Sequence, residues 1–379
     1  MRVAVLGAGP AGLYFAYRFK RARPTAVVDV FEQNEADATW GFGVVFSDRA
    51  LEFLRADDPE TVDQIAARME TWRDITVVHR GEVIPIDGVG FSAIGRLDLL
   101  QLMQERARSV GVAPRFGQAV HSIDELAGYD LIVAADGVNS LVRRTFEGDF
   151  KVSQSYLDNK FAWFGTTKRF ETLTQTFVQA PLGIFNAHHY RYQPSMSTFI
   201  VECDRATWLR YGFHEMSTEE AREACEGIFA STLEGHPLVS NRSVWRNFPW
   251  VWCDRWHFRN MVLVGDALRT AHFSIGSGTR LALEDVIALL AALDAESTDL
   301  QAALQRYERE RRPPVERLVR AAKASAAWYD QFAEHMALAP LPFALSYINR
   351  VGLMDRASLL RMAPQFMQRI EQTGLLQTE

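Results

Sequence analysis

The stretch Val3-Ala4-Val5-Leu6-Gly7-Ala8-Gly9-Pro10-Ala11-Gly12 decides the fold of this chain. Four consecutive apolar residues read as a buried strand, the glycines as a tight turn, and the following residues, to about Lys20, as a helix. Gly7 permits the turn, Gly9 lets backbone N–H groups approach phosphate oxygens, and Gly12 lets the helix pack close to its sheet. Pro10 and Ala11 sit at the helix start, where a pyrophosphate meets the positive end of the helix dipole. A second apolar strand, Ala26 to Phe31, ends at Glu32, an acceptor-only carboxylate suited to a ribose diol. A dinucleotide cofactor is therefore expected.

Further along, Asp130 to Ala135 is a buried parallel-type strand ending in Asp136-Gly137. Asn260 to Asp266 supplies another, ending in Gly265-Asp266 and followed by a glycine loop, Ile275-Gly276-Ser277-Gly278-Thr279, and a helix from Leu281 to Leu293. Trp40 to Phe46 reads as a loop or strand entry whose glycines allow close approach to something flat. Helices are predicted over Asp48 to Leu54, Asp58 to Met69 and Asp98 to Val110, and a hairpin over Ile75 to Pro85. The aromatic-rich segment from Phe161 to Val201 predicts a mostly antiparallel sheet. A helix over Thr218 to Leu233 and a tryptophan-dense strand over Trp245 to Trp256 follow, the tryptophans serving packing. The charge run Arg309 to Arg312 is expected to be solvated.

The expected architecture is α/β: a Rossmann-like domain over 1–70, 95–150 and 257–330, an antiparallel β-sheet substrate domain over 71–94 and 151–256, and a helical segment over 331–379. A net charge of −6 excludes a counterion-displacing nucleic-acid binder. The three cysteines, Cys203, Cys225 and Cys253, lack the spacing of a metal site and fit a reducing compartment. No run reaches the roughly eighteen apolar residues of a membrane span, and the first residues read as a strand, so a cytoplasmic protein is expected.

The ordered trio Gly7 to Gly12, Asp136-Gly137 and Gly265-Asp266 resembles the single-component aromatic flavoprotein monooxygenases that share the p-hydroxybenzoate hydroxylase fold. The resemblance implies FAD in a glutathione reductase-type domain, NADH or NADPH as co-substrate, oxygen, and hydroxylation through a flavin hydroperoxide. It implies that Glu32 holds the adenosine ribose, Arg96 the phosphate region and Asp266 the ribityl chain, with Asp136 in support. Val44, Val45, Gly276, Gly278 and Thr279 then lie at the flavin, the loop N–H groups facing its anionic edge.

The stretches Gly41 to Asp48, Met196 to Glu202 and Ala271 to Thr279 are similar to a narrower group, the salicyloyl- and aminobenzoyl-coenzyme A hydroxylases and the violacein-pathway indole hydroxylases. This implies a small aromatic substrate, a coenzyme A thioester such as salicyloyl-coenzyme A first and an indole-derived intermediate second. A flavoprotein-fold binding module is the non-enzymatic alternative. A phenol is easier to hydroxylate once deprotonated, so His272, beside the glycine loop, is the first candidate base or relay and His188, Tyr190 and Tyr192 come next, a half-buried strand histidine without a role being the other reading of His188. Arg191, Arg205 and Arg210 are candidates for coenzyme A phosphates. The helices from Ser325 onward are expected to cap the substrate cavity or to form a homodimer.

Overall fold

The computed structural model describes residues 1–47, 51–352 and 355–374. Its first layer is a five-stranded sheet in the order His257–Phe258, Met261–Leu263, Leu131–Ala134, Arg2–Leu6, Val27–Phe31. All pairs are parallel except the outermost, which is antiparallel. Val133 pairs with both Val5 and Val262, so the three chemically marked strands lie side by side and end together. The helix Pro10–Ala22 packs against Arg96–Ser109 and Gly278–Ala295, with Leu13, Phe15 and Phe19 fully buried. The parallel sheet and these helices share one apolar core.

The glycines do what the turn requires. Gly7 has φ +93, and a Cβ there would lie 2.4 Å from the Ala135 carbonyl oxygen. A Cβ on Gly12 would lie 2.0 Å from the Gly7 carbonyl oxygen, so helix and turn touch backbone to backbone.

The second layer is an eight-stranded sheet built on Val152–Thr166, Leu173–Ala180, Gly183–Gln193 and Met196–Cys203, antiparallel apart from the pairing of Leu173–Ala180 with Ile75–His79. The hairpin Ile75–His79 and Glu82–Ile86 forms one end, and Arg246–Cys253 pairs with the long strand Val152–Thr166. A three-stranded sheet of Gly43–Ser47, Phe91–Gly95 and Glu70–Trp72 joins the layers.

The predicted elements recur with adjusted ends. The helix expected over Asp58 to Met69 runs Pro59–Ala66, and that over Thr218 to Leu233 breaks into Thr218–Ile228 and Ala230–Leu233. Of the helix expected from Asp48, Glu52–Asp57 is helical, and 48–50 lie outside the described residues. The flat objects that Gly41 and Gly43 approach are the protein's own rings: a Cβ would lie 2.8 Å from the Trp163 ring and 2.7 Å from the Tyr192 ring.

The charge run needs correction at one position. Arg311 is buried and pairs with Asp285 at 3.0 Å and Glu284 at 2.6 Å. Asp285, fully buried, also pairs with Arg269 at 2.8 Å and accepts the Gly265 N–H at 3.0 Å. Three donors on one carboxylate offset its desolvation and fix the turn before Asp266.

A 31-residue helix, Leu300–Asp330, runs from the first core to the second sheet. Its Tyr307 hydroxyl donates to the Leu263 carbonyl at 3.3 Å, and its far end places Trp328 and Tyr329 in a second apolar cluster with Phe177, Phe343, Tyr347 and Phe366. The C-terminal helices thus spend their apolar faces within the chain. Among the described residues no helix is long and apolar enough to cross a membrane. All three cysteines are unpaired and buried.

Candidate active site

Two adjoining cavities follow the carboxyl ends of the parallel strands, the place where such sheets bind ligands. The smaller, about 90 Å³, is lined by Ala8, Gly9, Glu32, Leu100 and Arg96. The larger, about 330 Å³, takes over at Arg96 and Trp40 and continues past Val44, Val45, Asp266 and Gly276 to Thr279. Arg96 and Trp40 border both, so the run from Glu32 to Thr279 forms one extended crevice.

Each end is held by defined bonds. Glu32 accepts the Ala8 N–H at 2.9 Å through Oε2 and the Asn34 N–H at 2.9 Å through Oε1. Asp136 accepts the Leu141 N–H at 2.7 Å, while its other oxygen is buried without a partner. Burial raises its carboxyl above the ordinary range. The buried Arg143 guanidinium donates to the carbonyls of Asp266 (3.2 Å), Ala267 (2.9 Å) and Val138, tying the Asp-Gly and Gly-Asp segments together.

Asp266 is open on the crevice side and walled in elsewhere; burial raises its carboxyl, and Arg269 and Arg96 pull it back. The Arg96 guanidinium makes no bond to protein among the described residues, and burial disfavours its charge with partial relief from Asp266.

These residues fit an extended, anionic, ribitol-bearing dinucleotide. A Cβ on Gly9 or Gly278 would meet nothing within 4 Å, so both glycines border open space at a helix start. The Arg96 guanidinium and an accessible Asp266 supply the polar partners on the crevice surface.

The far wall of the larger cavity comes from the second sheet. Trp163, Ile200 and His188 are registered partners across three adjacent strands, and all three line it. Phe161, Phe248 and Phe273 complete an aromatic surround, with Phe161 and Phe273 centroids 5.0 Å apart. Neither ring nitrogen of His188 has a partner; burial, reinforced by Arg350, pushes it down to about 3. The Tyr190 hydroxyl donates to the Gly43 carbonyl at 2.9 Å, and burial raises its pKa.

His272 stands apart: Thr270, Ala271 and Phe273 line the cavity, but His272 does not. Its Nδ1 lies 2.8 Å from Ser274 Oγ, its ring packs on Phe248, and burial lowers it to about 3. Gly7, Pro10, Ala11, Gly12 and Asp136 lie behind the crevice wall rather than on it.

Arg191 is spent on Glu70 (2.6 Å) and Glu171 (3.1 Å), which removes it as a phosphate ligand. Arg210 donates to the Leu182 carbonyl at 2.7 Å, and neither it nor Arg205 lines the cavity. Arg242 and Arg246, which sequence reasoning missed, stand at the mouth instead. The alternation of Phe161 with Trp163 and of His188 with Tyr190 was a readable signal for the wall. The mouth arginines, in and just after an irregular segment, had none.

Fold and crevice together define an FAD-dependent monooxygenase. The FAD binding domain family model matches residues 127–322. Salicyloyl-CoA 5-hydroxylase of Streptomyces sp is 43% identical over 360 residues, 92% of this chain and 70% of that protein. Protodeoxyviolaceinate monooxygenase of Chromobacterium violaceum is 37% identical over 92% of this chain and 94% of its own. The 3-hydroxy-4-methyl-anthranilyl-[aryl-carrier protein] 5-monooxygenase of Streptosporangium sibiricum is 34% identical over 88% and 90%. The chain belongs to this family of FAD-dependent aromatic monooxygenases.

Proposed function

We propose that this enzyme hydroxylates the ring of a phenolic acyl thioester, salicyloyl-coenzyme A first, using NADH or NADPH and oxygen. The observation that carries the reading is His188, in an aromatic wall that faces the Gly276 to Thr279 loop, with both ring nitrogens buried and bonded to nothing in the protein. The 43% identity to a salicyloyl-CoA hydroxylase supports the substrate. Bound FAD supplies the redox chemistry, accepting electrons from the nicotinamide and activating oxygen.

The protein's own residues do the rest. Glu32 would hold the adenosine ribose, Gly9 and Arg96 the phosphate region, and Asp266 the ribityl chain, with Asp136 as support. The Gly278 and Thr279 N–H groups, at the start of the helix Gly278–Ala295, would offer positive partial charge to the flavin's ring system. Phe161, Trp163, Ile200 and Phe248 clamp the substrate ring and exclude water, which would otherwise divert oxygen chemistry to peroxide.

His188 accepts the phenolic proton on a ring nitrogen, raising electron density ortho and para to the hydroxyl. Behind it lies a chamber of about 50 Å³, lined by His188, Ser274, Tyr347 and Arg350, with room for water. Ser274 Oγ sits 2.7 Å from Ser325 Oγ there, and Arg350 donates to Ser325 at 3.1 Å. Water in the chamber would take the proton from His188 to solvent past the half-buried Arg350, whose permanent charge only orients the Ser274 and Ser325 hydroxyls, and His272 positions Ser274. The C-terminal helices, which contribute Tyr347 and Arg350, act as the cap of the site. The reduced cysteines support a cytoplasmic location.

The decisive measurement is NADH and NADPH oxidation by the FAD-loaded enzyme with salicyloyl-coenzyme A or with indolic acids, with hydroxylated product identified by mass. Stimulation and product with the thioester are expected. An enzyme silent to the thioester and active on an indolic acid would refute the first reading and favour the second, which the violacein-pathway relative supports.

A further inference from the structure

The cavity is walled by aromatic and loop residues on one side and open on another, and Arg242, Arg246 and Trp40 line it while exposed to solvent, which places them at its open edge. Arg242 lies in the irregular segment that leads into the strand Arg246–Cys253, and Arg246 is that strand's first residue. Arg242 has φ +56, in the left-handed region, and the segment is pinned on both flanks. The Asn241 side-chain amide donates to the carbonyls of Thr39 (3.1 Å) and Gly41 (2.9 Å), and the Ser243 hydroxyl donates to the Trp163 carbonyl. The mouth is therefore anchored to the cavity wall and to the Trp40 loop at once.

The arginines are held without being neutralised. Arg246 donates to the Arg242 carbonyl at 3.3 Å, and the Arg242 guanidinium carbon lies 5.1 Å above the Trp40 ring. Neither pairs with a carboxylate among the described residues. Two guanidiniums without a carboxylate partner, four residues apart and both lining the cavity, have the charge and donor geometry to receive an anion. The position also fits the geometry of a tethered substrate. About 330 Å³ must take the reacting ring together with the flavin ring system, so any arm on the thioester leaves through the mouth.

We propose that Arg242 and Arg246 bind a phosphate of a phosphopantetheine arm, whether that arm belongs to coenzyme A or to an acyl carrier protein. The proposal rests on the acyl-thioester reading above. It makes the pair the device by which the enzyme prefers a tethered aromatic acid over the free one.

The test is binding to the FAD-loaded enzyme under anaerobic conditions, read as perturbation of the flavin absorption spectrum. The ligands are salicyloyl-coenzyme A, salicyloyl-pantetheine lacking phosphate, salicylate, and a salicyl-loaded carrier protein. Wild type is expected to prefer the coenzyme A thioester to the pantetheine thioester by about tenfold, less at high salt. In Arg242→Gln/Arg246→Gln that ratio falls toward one, and in Arg242→Lys/Arg246→Lys most of it survives, which separates charge from folding.

A preference for the carrier-bound ester over the coenzyme A ester would identify the arm's source. An undiminished ratio in the glutamine variant overturns the phosphate site and leaves the thioester reading standing. Wild-type enzyme that binds no thioester overturns both.

Discussion

Replacing His188 with glutamine removes the proposed base while keeping a polar side chain of similar length. Burial and the Arg350 charge lower the ring from 6.5 to about 3, a gap worth about 5 kcal/mol against the charged form. The imidazole is thus neutral across the working range and takes a proton only with a phenolate beside it to balance the charge. Losing that acceptor should slow hydroxylation by about 10²- to 10³-fold near neutral pH. The deficit should shrink as pH rises from about 6 to about 9, because hydroxide ionises the phenol before it binds. Rapid-mixing single turnovers with product quantification give the rate, and flavin content and melting temperature report the fold. A variant with wild-type rate and an unchanged pH profile would refute the role of His188.

Gly9→Val points its side chain into open space at a permitted φ of −74, so the protein should fold but purify with little FAD, read from visible absorbance. Gly12→Ala, in contrast, drives a methyl to 2.0 Å from the Gly7 carbonyl and should lower the melting temperature or abolish soluble expression. His272→Gln should retain FAD yet release more peroxide per NADH, because the Ser274 contact at 2.8 Å that steadies the flavin loop is altered; full coupling would argue against it. Glu202, buried and pushed up to about 7 against an ordinary 4.5, is charged at a cost above pH 7. Glu202→Gln should therefore stabilise the enzyme by up to about 3 kcal/mol at pH 8, the gain fading as pH falls from 7 toward 4.5; thermal melts at both ends check the sign.

The dinucleotide crevice was legible because its chemistry is local. Gly7, Gly9 and Gly12 act within one turn, and Glu32, Asp136 and Asp266 each end an apolar run that announces a parallel strand. The aromatic wall was half legible: alternation places His188 and Tyr190 on one face, but the register that brings Trp163 and Ile200 alongside His188 is a long-range pairing no window contains. His272 shows the converse limit, since proximity to the glycine loop in sequence does not say which way a ring turns. Arg311 looked solvated because its partners, Asp285 and Glu284, lie 26 and 27 residues away.

The helix Leu300–Asp330 runs on through Pro313 and Pro314, with one end tied to the first core at Tyr307 and Arg311, and the other setting Ser325 against Ser274 and Trp328 against Tyr347. Its phase is therefore a design variable. One residue inserted after Arg312 would turn the distal half by about 100°, break the Ser325 contacts to Ser274 and Arg350, and unseat Trp328 from Tyr347 at the chamber wall. Grafting C-terminal helices between family members would have to preserve that angular setting before any side chain is chosen.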